Sequence, residues 1–147
     1  MANLHSLDEL AAYLETSGIE CSVAGEFVEM PCNEAQLTAT LHLTGGWLVF
    51  KAYLGEWQFK EAAFCTILRL QDRLIGLRFS VVDRELWALQ DFPLEVLGDG
   101  LHVFIKQAKW VLGIMLPALK LHLVSEQPMS EDDIDAMFDG LEAKKLN

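Results

Sequence analysis

A chain of 147 residues with 52% hydrophobic side chains has the length of one domain and enough apolar mass to bury a core without disulfide or metal support. Its formal charge of −11, with eleven dispersed basic residues, argues against nucleic acid as a partner, because that contact is driven by Lys and Arg releasing counterions. The three cysteines, Cys21, Cys32 and Cys65, show no Cys-x-x-Cys spacing, and the first ten residues carry acids and histidine where an export signal needs a basic stretch and an apolar run, so a reducing cytoplasm is expected.

Ser6-Leu7-Asp8-Glu9 is a capping-box pattern, and Leu7, Leu10, Ala11 and Leu14 then recur at helical spacing up to Gly18. Cys21 to Met30 reads as a strand bending at Gly25 and closed by Pro31. Leu37, Ala39, Leu41 and Leu43 alternate with Thr38, Thr40, His42 and Thr44, the pattern of a half-buried strand. Gly45-Gly46 supplies a tight hairpin turn, and the return strand runs from Trp47 to Leu54. From Gln58 the period is helical again: Phe59, Ala63, Ile67, Leu70 and Leu74 share a face, while Lys60, Arg69 and Arg73 can stay wet.

After Gly76, strands at Leu77 to Val82 and Leu86 to Phe92 flank the polar turn Asp83-Arg84-Glu85. A long helix is expected to start near Asp99, with Leu101, Phe104, Ile105, Ala108, Leu112, Met115 and Leu119 in one stripe and a bend at Pro117. Its most apolar part, Trp110 to Leu119, is far shorter than the roughly 20 residues that span a bilayer, so no membrane association is expected. Ser125 to Met129 is a polar linker, and Ser130 to Leu141 forms a short tail helix. The predicted fold is α+β in the order α-β-β-β-α-β-β-α, an antiparallel five-stranded sheet packed against helices. The domain comprises residues 1–124 and the acidic tail residues 125–147.

That order of elements resembles the YbjN family, a relative in fold of the type III secretion chaperones. The resemblance is carried by Leu70-Gln71-Asp72-Arg73-Leu74-Ile75-Gly76-Leu77-Arg78-Phe79-Ser80-Val81-Val82-Asp83, followed by Leu86-Trp87-Ala88-Leu89 and Phe92-Pro93-Leu94. It implies a module that binds protein segments, often as a dimer, with no catalytic residues to carry over. The tail Met129-Ser130-Glu131-Asp132-Asp133-Ile134-Asp135-Ala136-Met137-Phe138-Asp139-Gly140 is similar to the N-terminal peptide of the flagellar motor switch protein. That similarity implies an alternative, a signalling adaptor of the chemotaxis or flagellar type whose tail docks on a response regulator.

No motif for catalysis, cofactor or metal emerges. There is no Gly-x-Ser-x-Gly elbow, and Gly98-Asp99-Gly100 lacks the third glycine and the lysine of nucleotide loops. His5, His42, His102 and His122 lack ligand spacing, and the carboxylates Glu26, Glu29, Asp83 and Glu85 fall in turns or edges where they are solvated. Cys65 sits near the buried side of its helix and reads as a small hydrophobe.

The candidate site is therefore an apolar protein-binding surface. Trp110, Ile114 and Leu121 lie opposite the Leu112-Met115-Leu119 stripe, and a helix apolar on two sides is either deeply buried or shared with a partner. Homodimerisation through this face is expected. On the tail helix, Ile134, Met137, Phe138 and Leu141 share one side, which packs either on its own domain or on another molecule.

Overall fold

The computed structural model describes residues 6–32, 36–74, 76–97 and 100–146, with side chains up to residue 140 apart from those of residues 96 and 97. The elements in chain order are α1 (Leu7–Thr16), β1 (Ser22–Ala24), β2 (Phe27–Cys32), β3 (Leu37–Thr44), β4 (Trp47–Glu56), α2 (Glu61–Arg73), β5 (Arg78–Val82), β6 (Glu85–Pro93), α3 (Leu94–Leu97), α4 (Leu101–Leu123) and α5 (Glu131–Leu146). The fold is α+β, as the sequence predicts. Ser6 caps α1, its Oγ accepting from the Glu9 amide at 3.1 Å, and Leu10, Ala11 and Leu14 are buried.

The sheet has six strands rather than the predicted five, all antiparallel, in the order β1-β2-β3-β4-β6-β5. The extra strand comes from Gly25, whose positive φ of 61° lets the chain reverse outright, pairing Ala24 with Phe27 instead of bending. Pro31 does not close this strand. It lies within β2 opposite Thr38, and β1 ends opposite Glu29, so Pro31 sits beyond the reach of β1, where a missing N–H is tolerated. Gly76 is required by geometry: φ is 86°, and a Cβ there would stand 2.7 Å from the Gln90 side-chain nitrogen.

The alternation along the strands puts Val28, Met30, Leu41, Phe50, Ala88 and Phe92 on one face, where they join buried residues of α1, α2, α4 and α5 in a single core. The other face carries Trp47, Tyr53 and Val82 in the open, with the Tyr53 and Trp87 rings 5.0 Å apart. α4 runs unbroken through Pro117, and its buried stripe includes Leu101, Ile105, Ala108, Leu112, Met115 and Leu119. Phe104, expected in that stripe, is exposed, and the expected cap Asp99 lies outside the described residues. α3, four residues long, has no counterpart in the sequence reading.

Candidate protein-binding surface

Two regions of the helical layer offer binding geometry. The first is the outward side of α4. One side of this helix is committed to the core and another to α1, where the Tyr13 hydroxyl meets His102 Nδ1 at 3.0 Å and accepts from the His102 amide at 3.1 Å. Opposite the core, Val103, Trp110, Ile114, Pro117, Leu121 and Val124 recur at steps of three, four or seven residues. Trp110 and Ile114 are half-buried, whereas Leu121 and Val124 are 72% and 67% exposed. A run of apolar residues at a 3.5-residue repeat, turned away from its own core, matches the seam by which one helix packs on another.

The second region is the groove between α2 and α4, which α5 occupies. Thr66, the buried polar residue of α2, donates its hydroxyl to the Ala62 carbonyl at 3.1 Å and accepts the Met129 amide at 2.8 Å. Arg69 Nη1 donates to the Met129 carbonyl at 2.8 Å, so both backbone groups of Met129 are held, and its side chain is buried. Ser130 caps α5, its Oγ accepting from the Asp133 amide at 3.1 Å. Ile134 is fully buried in the common core, with Met137 and Phe138 half-buried against it. The backbone of Leu141 is helical, and its side chain lies outside the described residues.

Charge follows the same line. Lys60 pairs with Glu126, Arg69 with Glu131 at 3.7 Å and Arg73 with Asp135, and the Arg73 guanidinium lies 5.0 Å from the centroid of the Phe138 ring. The hydrogen bond to Asp135 holds the Arg73 pKa above its ordinary value, reinforced by the charges of Glu131 and Asp139. These are the cations the sequence reading left to solvent. The sequence reading also missed Thr66 and Met129; the available signal was a lone threonine on the inward side of a helix otherwise lined by Ala63, Ile67 and Leu70.

On the far side of α2, Phe64, Leu68 and Gln71 fall at i, i+4 and i+7, the first two exposed. Gln71 reaches the outer edge of β5: its Nε2 donates to the Leu77 carbonyl at 3.1 Å, and its Oε1 accepts from the Phe79 amide at 2.6 Å. Cys21, between α1 and the sheet, has its thiol pKa pushed up by burial and by Glu15. Among the described residues there is no group of three or more His, Cys, Asp or Glu that could hold a metal ion, and no helix is long and apolar enough to cross a membrane.

No family model matches the chain, and no curated protein matches it. A solved structure does: YbjN from E. coli, described as a candidate transcription regulator, has a TM-score of 0.65 over 83% of this chain and 96% of that one, at 13% identity. The fold is therefore that of YbjN.

Proposed function

We propose that the chain is a non-enzymatic protein-binding module of the YbjN kind, acting in the cytoplasm on a protein partner and homodimerising through the outward stripe of α4. The observation that carries this reading is the second apolar stripe itself. A helix needs one apolar side to pack on its own sheet; α4 has a second, on which Val103, Leu121 and Val124 are exposed and Trp110 and Ile114 half-buried. Regulation by protein contact also suits the charge, since −11 opposes the approach of a DNA backbone even though YbjN is described as a candidate transcription regulator.

Light scattering at high micromolar concentration tests the dimer. The wild-type chain is expected to be dimeric, and Ile114→Glu to weaken association by at least about a hundredfold, because an unpaired carboxylate buried in an apolar seam costs ~3 kcal/mol or more. The substitution leaves the Leu112-Met115-Leu119 stripe intact, and near-UV circular dichroism verifies that the variant is folded. A monomeric wild-type protein under these conditions would overturn the reading.

A further inference from the structure

We infer that the groove between α2 and α4 is a receptor for an acidic amphipathic helix of a partner protein, and that α5 is its built-in occupant. The inference rests on the reading of the chain as a protein-binding module but uses a different surface, since Leu121 and Val124 remain exposed with α5 in place.

The groove specifies its ligand on three counts. Cations at the N-cap of α2 (Lys60) and along it (Arg69 and Arg73) meet Glu126, Glu131 and Asp135 in the same order, so the bound segment runs parallel to α2 and must be acidic on that side. Thr66 and Arg69 grip the backbone of Met129, just ahead of the Ser130 cap, and backbone contacts accept other side chains. The apolar anchors among the described residues are Met129, Ile134, Met137 and Phe138, the last under the Arg73 guanidinium. Such a site takes any capped acidic helix with apolar residues at matching positions.

The ion pairs are the weaker part of this hold on α5. All three ion pairs lie at the surface, with Arg69 half-buried, and surface pairs of that kind add little to the hold on the tail. The buried side chains of Met129 and Ile134 and the two hydrogen bonds to the Met129 backbone hold the tail, and the short link from Val124 to Met129 makes that docking intramolecular, at an effective concentration on the order of millimolar. A partner segment with a larger apolar anchor competes by mass action.

The test uses the full chain and, as probe, a fluorescently labelled peptide with the sequence of residues 126–146. Ile134→Ser, or the milder Phe138→Ser, loosens the resident tail, and near-UV circular dichroism verifies the fold. Either folded variant is expected to bind the peptide at least about tenfold more tightly than wild type does. Arg73→Glu in that background is expected to weaken peptide binding about tenfold, and a peptide carrying Asp135→Arg to recover it.

Loosened variants that bind the peptide no better than wild type would overturn the proposal, as would a charge reversal without recovery. A wild-type dimer that free peptide dissolves would identify the occupant as a second copy's tail and overturn the foreign partner. Light scattering on the same samples separates the two ideas: no peptide binding alongside an intact dimer removes the receptor and leaves the dimer stripe standing.

Discussion

Thr66 occupies a place on α2 where helical periodicity asks for an apolar residue, and its hydroxyl is spent between the Ala62 carbonyl and the Met129 amide. A buried N–H without an acceptor costs about 1–3 kcal/mol. Thr66→Val preserves the shape of the side chain while leaving the Met129 amide unsatisfied. Urea denaturation is therefore expected to show a loss of about 1–3 kcal/mol, with Thr66→Ser losing less. Equal stability of the valine variant would mean that the amide finds water and that the tail is not held there. Residues of this kind are the least legible in a sequence, because the partner of Thr66 lies more than sixty positions away.

The elements were largely legible. Capping at Ser6, alternation in β3 and the period change at α2 depend on neighbours within one turn or one strand, which is the information a sequence window holds. What failed depended on backbone freedom and on tertiary contact. Gly25 permits both a bend and a reversal, and the pairing of Val23 with Val28 decides between them. The arginines of α2 look solvated until α5 is laid beside them, so the tail groove could not be read, whereas the second stripe of α4 could.

Gln71 belongs at this scale because it completes a strand. Its amide donates to residue 77 and accepts from residue 79, the pattern of a peptide group in a neighbouring strand, and so it blunts the open edge of β5. Gln71→Leu is expected to speed hydrogen exchange at the Phe79 amide and to promote edge-to-edge association on concentration. Unchanged exchange at Phe79 would show that the edge is guarded by something else.

At the scale of the whole molecule, sheet order departs from chain order at one point. β1 to β4 form a meander, but β4 then pairs with β6, and the chain between Glu56 and Glu85 builds α2 and β5 before returning. The consequence is kinetic. Two pieces can form from local contacts, the meander and the β5–β6 hairpin, and neither buries the central ladder until the long loop closes. Loop closure is an entropic cost met before any β4–β6 contact rewards it, so that ladder sets the barrier to folding. Stopped-flow refolding is expected to show Ala88→Gly, opposite Ala52 at the junction, slowing folding nearly in proportion to the stability lost, whereas Val23→Ala on β1 mainly speeds unfolding. The reverse pattern would place nucleation in the first hairpin. Since β4 and β6 also form the floor beneath the helical layer, the helices have no finished surface to settle on until the last and least local pairing is made.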